Sequence, residues 1–228
     1  MRLLPRNKYP EETVQKIIET SLKLFLEKGY EQTTVLDIVA NLGGLTRGAF
    51  YHHFKSKEEV LEAIFAARAE EYHPFEAAMQ AKVANGLERL RLALKTALME
   101  NISTEQNTAV TQFAFSLMSN PRFLQEKLKG DIKTAAMLAP IIEEGMKDGS
   151  IRPGNPKIIA ELFMILANIW MMPSIFPAGH RETLEKANLI AEIMENVGCP
   201  VLDEEMWEIF EKVIGIIDEH YHEYYEIK

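Results

Sequence analysis

The 228-residue chain has a single cysteine, Cys199, which excludes an internal disulfide and any cysteine-based metal centre and suits a reducing cytoplasm. The N-terminal MRLLPRNKYPEE lacks an apolar run that could serve as a signal peptide. No β-branched alternation persists anywhere, so the reading is all-α. Internal repeats and low-complexity tracts are absent. So are a G-x-S-x-G elbow, a P-loop and a glycine-rich dinucleotide turn, which removes the common signatures of hydrolase, nucleotide and dinucleotide chemistry. Two Glu-x-x-His pairs, Glu70/His73 and Glu219/His222, have the spacing of di-iron bundles, but two further inward glutamates are not evident. They read as solvated pairs, and neither a metal, a cofactor nor a catalytic residue is expected.

What is present centres on residues 34–57, TVLDIVANLGGLTRGAFYHHFKSK. Thr34 and Asp37 make a T-x-x-D capping box, and Val35, Ile38 and Val39 place apolar groups on one face of a short helix. Gly43-Gly44 ends it, since glycine alone takes positive φ without steric cost. Thr46 is the next N-cap, Gly48 to Phe54 fill a second helix, and Ser56 with Glu59 opens a third. Helix, tight turn, helix is the geometry that sets a second helix into a major groove. Thr46, Arg47, Tyr51, His52, Lys55 and Lys57 would meet phosphates or base edges there. An ordinary helical hairpin with a solvated polar face has the same spacing.

Charge divides along the chain. Residues 1–57 carry +3 and residues 58–228 carry −12, within a net −9. A cationic reading head on an acidic body would orient a protein on a polyanion. A short basic arm, with Arg2, Arg6 and Lys8, precedes the first amphipathic helix, Glu11 to Lys28. Val14, Ile17, Ile18, Ser21, Leu24 and Phe25 form its inner stripe.

The segment G-Y-E-Q-T-T-V-L-D-I-V-A from Gly29, followed by T-R-G-A-F-Y-H-H-F-K-S-K-E-E-V-L from Thr46, resembles the DNA-binding domain of the tetracycline-repressor-like (TetR/AcrR) transcription regulators. The resemblance covers about the first quarter of the chain. It departs from the family pattern at Gly43-Gly44, where a single glycine is usual. It implies a three-helix helix-turn-helix head (1–57) joined to a helical ligand-binding and dimerisation body (58–228). It also implies a double-stranded DNA operator, a small-molecule effector and a homodimer, in a cytoplasmic protein without membrane attachment. Thr34, Thr46, Arg47, Gly48, Tyr51, His52, Lys55 and Lys57 become the DNA-binding set. The alternative is a helical ligand-binding or protein-interaction module that has lost DNA binding.

The body reads as successive helices. A helix from Lys57 to about Tyr72 starts in the head and ends before Pro74, as a mechanical link. Asn85-Gly86 interrupts the next segment, after which Leu87, Leu90, Leu94, Ala97 and Leu98 form an inner face. Asn120-Pro121 is an N-cap with proline at the first helical position. Pro140 is expected to kink or break the helix that ends at Gly145–Gly149. Residues 158–172, IIAELFMILANIWMM, are apolar nearly all round yet too few to span a membrane. A helix without a polar face calls for burial on every side, as at a subunit interface. The last helix, Glu204 to about Tyr224, carries a wide apolar stripe. Ile165, Ile169, Met206, Phe210, Val213, Ile217 and Tyr221 are therefore the expected interface, paired about a twofold axis in a four-helix bundle. A largely apolar effector is expected near Gln112, Phe113, Met137, Met164, Asn168, Trp170 and Met171, with Phe115 and Met118 nearby.

Overall fold

The computed structural model describes residues 10–71, 74–100, 102–172 and 175–221, and every regular element among them is helical. The basic arm, both histidines of the Glu-x-x-His pairs, and the side chains of Gln112, Phe115, Ile217 and Tyr221 lie outside what is described. The chain divides into two compact units, Met1–His73 and Pro74–Lys228.

The first unit holds α1 (Pro10–Lys28), α2 (Val35–Asn41), α3 (Arg47–His53) and α4 (Lys57–Glu71). Ile17, Ser21, Leu24 and Phe25 recur at helical spacing on α1 and are buried, as are Val60, Leu61 and Ile64 on α4, which packs along α1. That packing makes α4 part of the first compact unit. Ile38, Leu42, Phe50 and Phe54 complete the core beneath α2 and α3. Val35 and Val39, expected on that face, are half-buried, as is Leu45. Leu42 fills the space instead, because the chain turns at Gly43 and Gly44, both at positive φ (60° and 101°), and folds it inward.

The second unit holds α5 (Pro74–Gln80), α6 (Gly86–Glu100), α7 (Glu105–Ser116), a 3₁₀ turn (Leu117–Ser119), α8 (Pro121–Asp148), α9 (Pro156–Ile165) with a π-helical turn (Leu166–Trp170), α10 (His180–Asn196) and α11 (Glu204–Tyr221). Two Asn-Pro steps start helices alike. The Asn120 side chain accepts from the N–H groups of Arg122 and Phe123, and that of Asn155 from Lys157 and Ile158. The α8 helix runs unbroken through Pro140, contrary to the expected kink or break. Pro140 and Ala136, whose carbonyl loses its N–H partner, both lie on the solvent side, where water can satisfy it.

α8 is the spine, packed by α6 and α9. At its crossing with α6 a Cβ on Gly86 would lie 2.2 Å from the Gly145 nitrogen, so backbone meets backbone there. Asp148 accepts from the Gly86 N–H at 2.6 Å, Ser150 from that of Leu87 at 3.1 Å, and Asn85 from that of Glu88 at 2.9 Å, which caps α6. Arg89 reaches Glu144 at 3.0 Å and donates to the carbonyls of Ala78, Met79 and Ala81, closing the end of α5. Farther along α6, Lys95 pairs with Asp203 at 3.1 Å and with Glu205, at the start of α11. Cys199 is buried beside this junction, and burial pushes its thiol up to about 12, which leaves it inert at neutral pH.

Candidate nucleic-acid interface

The turn between α2 and α3 is built by caps. The Thr34 hydroxyl accepts from the Asp37 N–H at 3.2 Å, and the Asp37 carboxylate accepts from the Thr34 N–H at 2.9 Å and its hydroxyl at 2.6 Å. The expected capping box is present. With the Thr34 hydroxyl and then its N–H donating, and Lys28 at 3.1 Å, the Asp37 carboxyl is held down at about 2. Thr46 accepts from the Ala49 N–H at 3.2 Å and starts α3. At α4 the second box is modified: Ser56 accepts from Glu59, but the Glu59 carboxylate reaches past it to the Lys55 N–H at 2.6 Å.

Phe50 and Phe54 anchor α3 from below, with ring centres 6.2 Å apart. The opposite face presents Thr46, Arg47, Gly48, Tyr51 and His52, all exposed, with Lys55 just beyond. The Arg47 guanidinium sits 5.4 Å over the Tyr51 ring, one helical turn away, which pre-organises its planar fork. His53, next to His52, is held below the ordinary imidazole range by burial and then by the neighbouring His52. Hydroxyls, a stacked guanidinium and cations on one face of a seven-residue helix can bind phosphates and read base edges.

Two members of the expected set are committed elsewhere. Lys57 directs its ammonium to the carbonyls of Tyr30 (2.8 Å), Thr33 (3.3 Å) and Glu31 (3.5 Å), and over the Tyr30 ring at 4.2 Å. All three N–H donors are therefore used inside the unit, and Lys57 is a clamp on the α1–α2 loop, not a free phosphate contact. The Thr34 hydroxyl spends its one hydrogen on Asp37. The acceptors of Lys57 lie twenty-four to twenty-seven residues back and do not follow from residue type, whereas the Thr34 partner is its own capping box. Sequence reasoning passed over Leu36, which stands 61% exposed on α2 beside these polar groups.

The body residues expected to form a pocket are dispersed. Phe113 and Met164 are buried in packing, Met137 is 47% exposed on the outside of α8, and Met171 packs against the core. Asn168 lies in the π-helical turn and donates to Asp131 on α8 at 3.2 Å, so its amide joins two elements of one chain. Burial raises the Asp131 carboxyl against the pull of Lys127 at 2.8 Å. Trp170 lines an open recess.

Of the expected interface residues, Met206 is 2% exposed and Val213 is also buried within the unit's own packing. They are core residues of the chain itself, because α11 turns this stripe inward. Ile169 and Phe210 are half-buried. Ile165 stands 53% exposed, and Ile158, one face down the same helix, 59%.

Residues 17–64 match the family model described as bacterial regulatory proteins, tetR family. The chain is 30% identical over 172 residues to the HTH-type transcriptional regulator YhgD of Bacillus subtilis, a match spanning 74% of this chain and 88% of that one. It belongs to the TetR family of bacterial transcription regulators. The HTH-type transcriptional regulator SrpR of Pseudomonas putida is 38% identical over 97 residues, 42% of this chain but less than half, 43%, of its own length. A TetR-family regulator structure from Syntrophomonas wolfei superposes with a TM-score of 0.58 at 21% identity, over 85% of this chain and 98% of that one. The family fold is an N-terminal helix-turn-helix with a helical C-terminal body, and these relatives are DNA-binding regulators, not enzymes. No helix among the described residues is long and apolar enough to cross a membrane.

Proposed function

We propose that the chain is a homodimeric, ligand-responsive repressor that acts in the cytoplasm and leaves a palindromic operator when a small, largely apolar molecule binds its body. The observation that carries the DNA reading is the exposed face of α3, where Arg47 is stacked on Tyr51 beside Thr46 and Lys55. In this mechanism α3 enters the major groove. Arg47 meets a base edge, while Thr46, Tyr51 and Lys55 hold phosphates and fix the register. Gly48, exposed between them with no protein atom near its missing Cβ except Thr46 at 3.8 Å, allows close approach of the duplex.

Ile158 and Ile165 on α9 support pairing of two chains, since exposed isoleucines on one helix are unfavourable in water. Two recognition helices related by a twofold would read half-sites about one helical turn (~34 Å) apart. An effector shifts the dimer only by its differential affinity for the bound and released states. The chain leaves the first unit through α4, which would carry that preference.

Selection of duplexes from a random pool by the purified chain tests the reading. An enriched palindrome with half-sites one turn apart is the expected result. A folded dimer that enriches nothing would leave the alternative, a ligand-binding or interaction module without DNA binding.

A further inference from the structure

The second unit contains a buried lysine that no carboxylate among the described residues neutralises. Lys186 lies on the inward stripe of α10, with Thr183, Ala187 and Ile190, and is 9% exposed. Its ammonium donates to the Phe176 carbonyl at 3.1 Å and stands 6.0 Å and 5.9 Å from the ring centres of Trp170 and Phe176. Among the described residues no carboxylate pairs with it, and Glu185 is taken by Arg181 at 2.9 Å. A buried ammonium with one neutral acceptor is costly and calls for an anion.

The space for one is there. Lys186, Trp170, Phe176 and Leu189 line an open recess of about 450 Å³, and the exposed Glu182 and Glu185 belong to the same lining. The volume suits a compact molecule of one or two rings. We infer that this recess binds a small aromatic monocarboxylate, its carboxylate on Lys186 and its apolar body against Trp170 and Leu189. A cation is disfavoured because the aromatic faces already serve the Lys186 ammonium. A dianion is disfavoured because Glu182 and Glu185 share the lining with Lys186. A neutral molecule leaves the ammonium as it was. The site is formed by Trp170, residues 175–177 and α10, its lining includes neither Phe113 nor Met137, and it deepens the effector reading by naming a place and a ligand class.

The test uses 1-naphthoate and two isosteres, the neutral 1-naphthamide and the cationic 1-naphthylmethylammonium. The chain has two tryptophans, so Trp207→Phe leaves Trp170 as the sole reporter. Titration should quench Trp170 with 1-naphthoate at least tenfold tighter than with either isostere, and Lys186→Met should abolish that preference. Equal binding of the amide, tighter binding of the cation, or a preference that survives Lys186→Met would overturn the assignment. Should Lys186→Met fail to fold, the comparison of the three probes on the parent chain still decides. Absence of quenching, with Trp170 emission shifting as chain concentration rises, would give the recess to a second copy and overturn it equally. Release from the selected duplex is measured separately. Binding without release keeps the site and removes only its part in induction.

Discussion

The two units expose opposite chemistry. The first buries Phe50 and Phe54 under α3 and turns a guanidinium stacked on Tyr51, hydroxyls and a lysine outward. The second turns apolar side chains outward, Ile132, Met137, Ile158 and Ile165 among them, while Arg89 and Lys95 are drawn inward to tie helices together. A surface of fixed cations is made for a polyanion, and a surface of isoleucines for something that excludes water. The units also differ in how they are held. Caps within a few residues define the first, whereas the second depends on contacts across more than fifty residues, such as Gly86 on Asp148 and Arg89 on Glu144.

That difference can be broken at its most crowded point. Gly86→Ala places a Cβ on the backbone of α8 and should destabilise the second unit by about 3 kcal/mol, seen as a lower urea midpoint for its unfolding. The first unit should unfold as before. A smaller effect separates two lysines two residues apart. Lys57→Met removes charged hydrogen bonds from the α1–α2 loop and should cost the first unit about 2 kcal/mol. Lys55→Ala should leave thermal stability unchanged and lower the slope of log K against log salt for duplex binding by about 1.

Acid sharpens the comparison further. The Asp37 carboxyl is depressed to about 2 from 3.8, so its contribution is complete above the unfolded value and is lost as pH falls through the folded one. Urea midpoints of the first unit should therefore decline between about pH 4 and pH 2. Asp37→Asn should flatten that decline, with the second unit as internal control.

The same contrast explains what the sequence discloses. The Thr34–Asp37 box, the Thr46 cap, the glycine turn and the inward Phe50 and Phe54 are local, and each was readable from residue type and spacing. So was the Asn120-Pro121 start of α8. Lys57 looked like a free cation because its acceptors lie twenty-four or more residues back, in the α1–α2 loop. Met206 looked like an interface residue because an apolar stripe does not say whether its partner is the same chain. Pro140 looked like a break because the cost of a missing N–H depends on whether water reaches the orphaned carbonyl. α10 went unassigned, although Thr183, Ala187, Ile190 and Met194 repeat at helical spacing. Lys186 within that stripe was the sequence's one trace of the recess.

The central claim is that α3 reads DNA through Arg47, and equilibrium binding to the selected duplex tests it most directly. Arg47→Ala should weaken specific binding by roughly 30-fold, about 2 kcal/mol, and relax base preference at one position of each half-site. Specific affinity unchanged within about twofold, in a variant that folds and pairs as the parent does, would contradict the account.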